Sequence, residues 1–205
     1  MGKLPLDLQA LGVDLMSMTA HKMYGPKGVG ALYLADRPEV HIEPLLYGGG
    51  QQRRLRPGTL PVPLIAGFGA AAEIAAQKMP DDAVRLAQLR DRLWQGIHDI
   101  PGIRVNGDLN NSWPGLLNVS VADVEGESLL LALEPLCVAT GSACNSTNKE
   151  PSYVLRALGL SDLDAQSAVR FSLGRQTTRP QVDFAIGRYR RAVAMLREIA
   201  PERVA

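Results

Sequence analysis

Lys22, Cys144 and Arg175 are the residues of this chain whose type and setting admit covalent or ionic chemistry. Lys22 stands between His21 and Met23, in a loop that directly follows an apolar run of strand length, a place from which a side chain can project into a cleft. A lysine amine attacks a carbonyl only when deprotonated, and partial desolvation beside other cationic groups favours that form. Lys22 is therefore a candidate Schiff-base former, with a solvated loop lysine as the alternative that spacing leaves open. The neighbouring Gly25-Pro26-Lys27-Gly28 lacks the spacing of a nucleotide phosphate loop. Cys144 lies in the small, polar run TGSACNSTNKEPS, which predicts an exposed loop and so favours a reactive thiol over the buried, inert state usual for a free cysteine. Cys137, flanked by Leu136, Val138 and Ala139, reads instead as a small core hydrophobe. Arg175 follows Ser172-Leu173-Gly174 at the end of a strand, where a guanidinium can clamp a carboxylate through two hydrogen bonds; a surface ion pair is the other reading.

The elements that must position these residues follow from periodicity. Residues 13–18 form an apolar run that predicts a buried strand at the very start of the chain, without the neighbours a parallel strand needs, and residues 29–34 predict a second strand. Gly48-Gly49-Gly50 and the polar residues 51–58 make a surface connection. Residues 62–79 are alanine-rich and predict a long helix, ended by Pro80 with Asp81 or Asp82 capping the next one. In that second helix Leu86, Leu89, Leu93 and Ile97 recur at three- and four-residue steps, while Arg85, Arg90, Asp91 and Arg92 fall largely off the stripe; His98, near its end, reads as a surface residue suited to a helix C-terminus. Strands are expected at 103–105, 116–121, 137–140 and 169–173, and helices near 127–133, after Pro151 up to Gly159, and over 180–199 with Val182, Ala185, Tyr189, Val193 and Leu196 on one side. Such alternation predicts a layered α/β or α+β fold, with the helix at 62–79 joining an N-terminal piece to a C-terminal α/β domain.

Composition narrows the class. With 22 Lys and Arg against 21 Asp and Glu among 205 residues there is no global field to draw nucleic acid or an anionic membrane, and the local cluster Arg53, Arg54 and Arg56 reads as a solvated loop. No stretch approaches the roughly 20 apolar residues of a membrane span, and no signal pattern opens the chain, so a cytoplasmic protein is expected. Leu6 stands where a myristoylation motif needs Ser or Thr. Two cysteines at this spacing suggest neither a disulfide framework nor a metal knuckle, so no metal is expected.

Taken together, the motifs carry a resemblance. Residues 13–33, VDLMSMTAHKMYGPKGVGALY, closely resemble the pyridoxal phosphate (PLP) lysine segment of cysteine desulfurases. So do, in order, Gly48-Gly49-Gly50, Arg56-Pro57-Gly58-Thr59, Ala139-Thr140-Gly141-Ser142-Ala143-Cys144, the run from Glu150 to Gly159, and Arg170-Phe171-Ser172-Leu173-Gly174-Arg175. The resemblance implies an α/β chain in which residues 1–80 are the remnant of a fold-type I PLP-transferase large domain and residues 81–205 a C-terminal α/β small domain. It implies that Lys22 holds PLP covalently, Thr19 and His21 bind its phosphate, and Thr59 reaches the cofactor of a neighbouring subunit in a homodimer. Arg175 would hold the carboxylate of L-cysteine, and Cys144 would accept its sulfur as a persulfide, releasing L-alanine. The long polar loop around Cys144 is similar to the class serving iron-sulfur cluster assembly and tRNA thiolation, which implies a sulfur-acceptor or iron-sulfur scaffold protein as partner, without direct nucleic-acid or membrane binding. Pro57 replaces a small residue common in the family and should affect Thr59 little. The family's phosphate-binding turn, ring-stacking histidine and pyridine-nitrogen aspartate precede the lysine strand and have no counterpart here, so the chain reads as a fragment or as one of two complementing chains. Two other functions stay open: a non-catalytic module that binds a sulfur-acceptor protein, and a related PLP lyase such as one acting on selenocysteine.

Overall fold

The structure is a computed structural model that describes residues 1–140 and 151–199. Its internal contacts divide the chain into two compact units, Met1–Asp81 and Asp82–Ala205.

In the first unit, β1 (Leu15–Thr19) pairs antiparallel with β2 (Gly30–Leu34), Leu15 opposite Leu34 and Thr19 opposite Gly30. The strand that precedes Lys22 is therefore one arm of a two-stranded ribbon. It is also not the buried strand its composition predicts: Leu15 and Leu32 remain 48% and 49% exposed, because a ribbon without a covering layer on both faces leaves apolar side chains in water. An Asp14–Arg37 ion pair closes its open end. What this unit buries is small: Ala20, Met23 and Ala35, with Ala71 and Ala75 from the helix that follows.

That helix, α1, runs unbroken from Val62 to Gln95 with Pro80 inside it, where a stop and a fresh cap at Asp81 or Asp82 were expected. Pro80 has no N–H to give the Ala76 carbonyl, an interruption that costs about 3 kcal/mol in an isolated helix. Burial outweighs it: downstream, Leu86, Leu89 and Leu93, with Ile97 just past the helix end, sit at 8% exposure or less on the expected stripe. Asp82 caps nothing, since it lies within the helix and its carboxylate faces Arg175. Arg90, expected off the stripe, is buried too; its guanidinium reaches the Leu109 carbonyl (2.9 Å) and the Asp91 carboxylate (2.9 and 2.8 Å), so only its stem contributes apolar surface.

The second unit is a three-stranded antiparallel sheet, β3 (Ile103–Val105), β4 (Leu116–Val121) and β5 (Val169–Ser172), in the order β3-β4-β5. Leu117, Val119, Val169 and Phe171 join one core with the α1 stripe and with α2 (Gly126–Ala132) and α5 (Arg179–Ile199). All five residues expected on the inner side of α5 are buried, and the Tyr189 ring packs edge-on against Phe171 at 5.7 Å between centroids. The Tyr189 hydroxyl is enclosed without a hydrogen-bond partner among the described residues. Between β4 and β5 come α3 (Tyr153–Ala157), stopped at Gly159 (φ 86°), and α4 (Asp162–Gln166), capped by Ser161. α4 was not anticipated, being too short to show a period.

Residues 137–140 form no strand. Only Ala139 pairs, through an isolated bridge to Arg170. Cys137 is exposed, which corrects its reading as core: in extended backbone alternate side chains face opposite ways, and here Leu136 and Val138 take the inward places. Among the described residues no helix is long and apolar enough to cross a membrane, and no cluster of three or more His, Cys, Asp or Glu could hold a metal.

Candidate active site

Lys22 owes its position to its neighbours. β1 ends at Thr19 in extended backbone, and the chain turns at once into a single 3-10 turn, Ala20–Met23. The first and last residues of that turn are buried, Ala20 at 0% and Met23 at 2% exposure, so His21 and Lys22 between them must point outward. Tyr24 closes the turn in the left-handed region (φ 68°), and the Gly25 N–H donates to the Ala20 carbonyl at 3.0 Å. A side chain at Gly25 would meet Ala20 and Ala71 of α1 at 2.9 and 3.0 Å, so glycine lets the turn lie against the helix. Thr19 and His21 meet on this turn, with Thr19 Oγ1 and His21 Nδ1 3.0 Å apart; the Thr19 hydroxyl also lies 3.5 Å from the Val29 carbonyl it can donate to. Thr19, His21 and Lys22 thus present a hydroxyl, an imidazole and a primary amine on four consecutive residues.

Thr59 is exposed on the connection that leads into α1. The connection is closed by the Gln51 side chain, which accepts from the Gly58 N–H at 3.2 Å, and it carries three consecutive non-glycine residues in the left-handed region, Gln52, Arg53 and Arg54. Backbone of that kind persists only where the surroundings hold it. No hydrogen bond joins Thr59 to Thr19, His21 or Lys22 among the described residues.

Arg175 belongs to the second unit, on the loop between β5 and α5. Its Nε donates to Asp82 Oδ2 at 2.7 Å, and the two side chains are 25% and 19% exposed. The same loop is held at its backbone by Arg85, whose guanidinium donates to the carbonyls of Thr177 (2.8 Å), Arg175 (2.7 Å) and Gly174 (3.3 Å). Arg175 lines a cleft of about 690 Å3 together with Arg85, Gln88, Arg92, Thr178 and Arg179. Sequence reasoning picked Arg175 and missed Asp82 and Arg85 as its partners; their i, i+3 spacing on one helix face was the available signal, but nothing in sequence joins them to a loop some ninety residues on.

Cys144 lies outside the described residues. The chain on either side is anchored within the second unit: Ala139 and Arg170 exchange both backbone hydrogen bonds (3.3 and 2.6 Å), and after Pro151 the chain enters α3, where Leu155 packs with Ala165 and Ala168.

Comparison with known proteins gives these residues a context. The aminotransferase class-V family profile matches residues 1–184. The chain belongs to that family. Among its class-V relatives, the cysteine desulfurase IscS of Aeromonas hydrophila subsp. hydrophila is 54% identical over 200 residues, 98% of this chain and 50% of the relative. A solved NifS-like protein superposes with a TM-score of 0.81 at 36% identity, covering 95% of this chain and 50% of that one. DndA from Streptomyces lividans superposes with a TM-score of 0.66 at 40% identity, over 83% of this chain and 49% of that one. The mixed helix-and-strand architecture is thus that of NifS-like structures, and the chain spans about half the length of the relatives it matches.

Proposed function

We propose that this chain is the C-terminal portion of a cytoplasmic, homodimeric cysteine desulfurase, in which residues 1–80 complete a PLP-binding large domain and residues 81–205 form the small domain. The observation that carries the reading is the Lys22 turn: a buried Ala20 and Met23 force an amine outward beside a Thr19–His21 pair 3.0 Å apart. This donor set fits PLP, because a primary amine suits its aldehyde, and a hydroxyl with an imidazole suits its phosphate. Sequence identity of 54% to an IscS desulfurase supports the choice of reaction.

In this reading Lys22 holds the cofactor and Thr19 and His21 hold its phosphate, with Thr59 serving the site of the second subunit. PLP, when bound, supplies an electron sink for bond changes at the substrate α-carbon. Lys22 Nζ would also be placed to hold or move a proton at the substrate α-carbon. Arg175 orients L-cysteine through its α-carboxylate. The Cys144 thiolate attacks the substrate sulfur: a sulfur–sulfur bond forms, the carbon–sulfur bond breaks with its electron pair left on carbon, and that carbon takes a proton to become the methyl group of L-alanine. The persulfide on Cys144 then passes to a sulfur-acceptor or scaffold protein.

The test uses the full-length enzyme. Lys22→Ala is expected to remove the visible absorbance of bound cofactor together with alanine release, whereas Cys144→Ser should keep the absorbance and lose the persulfide. Arg175→Ala should keep the absorbance and raise the KM for cysteine about tenfold or more, the cost of a lost charge-assisted contact. Persulfide found by mass spectrometry on Cys137 and not on Cys144 would overturn the assignment.

A further inference from the structure

We propose that Asp82, together with Arg85 one turn along the same helix, is a positioning pair that sets the Arg175 guanidinium for the α-carboxylate of the amino-acid substrate. The proposal rests on the desulfurase reading for the identity of that carboxylate, and on geometry within the second unit for everything else.

A guanidinium is useful for carboxylate recognition because its donors lie in one plane at fixed angles, so its value depends on how that plane is held. An arginine on a loop has four freely turning side-chain bonds and a mobile backbone, and both freedoms must be removed before substrate arrives if binding is not to be weakened by ordering it. Here one helical turn removes both. Arg85 gathers three carbonyls of the loop, those of Gly174, Arg175 and Thr177, onto a single guanidinium at 2.7 to 3.3 Å, which fixes the backbone from which Arg175 springs. Asp82 takes the inner nitrogen of Arg175, Nε, at 2.7 Å, which fixes the plane of the guanidinium and so the direction of its terminal edge. Asp82 and Arg85 are themselves paired at 3.6 Å, so that the carboxylate and the backbone clasp are set against each other on one face of α1. Asp82 is 19% exposed, well covered for a carboxylate, and it is not among the residues lining the cleft that Arg175 borders. The contact also bears on α1 itself: Asp82 follows Pro80 by two residues, where the helix has lost a hydrogen bond and where an aspartate was expected to start a new helix. The residue that would cap is instead engaged with the substrate arginine.

A positioning role and a merely structural one predict different kinetics. In full-length, cofactor-loaded enzyme, Asp82→Asn is expected to raise the KM for L-cysteine about tenfold while kcat stays within about twofold, because the interaction lost serves substrate binding in ground and transition state alike. Asp82→Glu, which restores the charge, should bring KM back to within about threefold of the wild type. Bound-cofactor absorbance should be the same in all three proteins. A readout independent of turnover is the Arg175 Nε–H resonance, assigned through Arg175→Lys: it should be sharp and protected from solvent exchange in the wild type and in Asp82→Glu, and exchange-broadened in Asp82→Asn. An unchanged KM in Asp82→Asn overturns the proposal, and so does a loss confined to kcat or melting temperature without rescue by glutamate. A wild-type enzyme that releases no alanine from cysteine would overturn the functional reading first, and with it the role given to the pair. Alanine release with an indifferent Asp82 would overturn the pair alone.

Discussion

The two units hold their candidate site residues in opposite ways. In the first, Lys22 is set by two buried side chains of a single turn, and the burial beneath it is little more than alanine: Ala20, Ala35, Ala71 and Ala75 beside Met23. In the second, Arg175 is clamped at backbone and side chain by α1, next to a continuous core of leucine, valine, isoleucine, phenylalanine and tyrosine. Burial of a large aliphatic side chain contributes about 1.5 to 3 kcal/mol and of an alanine far less, so stability is concentrated in the second unit. Within this chain, the candidate amine at Lys22 sits where little is buried, and the candidate arginine at Arg175 sits beside the larger core.

Two measurements test that contrast and two more probe the second unit alone, from the largest expected effect to the smallest. Both tryptophans, Trp94 and Trp113, pack against the core of the second unit, so their fluorescence reports that unit, while far-UV circular dichroism reports both. In urea the dichroism of this chain should begin to fall before the fluorescence changes; coincident curves would mean that the two units unfold as one. Leu93→Ala, at a side chain only 2% exposed, should cost about 2 to 5 kcal/mol in the fluorescence transition, whereas Leu32→Ala, at 49% exposure in β2, should cost no more than about 0.5 kcal/mol. Comparable losses at both positions would show that the first unit has a core of its own. Glu125 caps α2, its carboxylate accepting from the N–H groups of Glu127 (3.0 Å) and Ser128 (2.6 Å). The Ser128 hydroxyl first, then these two N–H groups, hold the Glu125 carboxyl below its usual range. A folded value lower than the unfolded one means that the cap stabilises above the ordinary glutamate range, near pH 4.3, and fades as pH falls through the folded value. Glu125→Ala should therefore cost about 0.5 to 1 kcal/mol near pH 7 and progressively less below about pH 4, by urea titration at each pH. Cys137→Ser, on an exposed residue, should change stability by less than about 0.5 kcal/mol.

Much of the second unit was legible in the sequence because its signals are long or strongly patterned. The five inward residues of α5 and the stripe Leu86, Leu89, Leu93 and Ile97, the last just past the end of α1, all recur at helical spacing, and all are buried. The strands at 103–105 and 116–121 matched to the residue. What was misread shares a cause: local signals yielded to tertiary ones. Pro80 reads as a stop, yet the helix continues because the residues beyond it are drawn into the core. Cys137 reads as core from its apolar neighbours, yet a strand-like backbone gives the inner face to Leu136 and Val138. The strand expected at 13–18 does form, at Leu15–Thr19, and its exposed Leu15 agrees with the missing neighbours noted from the sequence; only its burial was overestimated. α4 left a trace, since Ser161 and Asp164 stand in the spacing of a capping pair, and the Ser161 hydroxyl does accept from the Asp164 N–H. The candidate site residues are given their roles through motif resemblance alone, and Cys144 among them lies outside the described residues. Their partners were not legible in it: the Asp82–Arg175 pair joins positions 93 residues apart.

The enclosed hydroxyl of Tyr189 makes the second unit its own optical indicator. Burial pushes this phenol well above its ordinary range, the nearby Arg197 charge drawing it back only in part. Folded protein therefore keeps the phenol protonated at an alkalinity where the unfolded chain, with an ordinary tyrosine value near 10, gives up the proton. Its folded-state proton affinity favours the folded state fully below that ordinary value and progressively less as pH rises above it. Near-ultraviolet phenolate absorbance followed up an alkaline titration should then include a late increment, one tyrosine in five, that rises together with the loss of tryptophan fluorescence rather than along a simple ionisation curve. Tyr189→Phe should delete that increment and leave the rest of the trace in place.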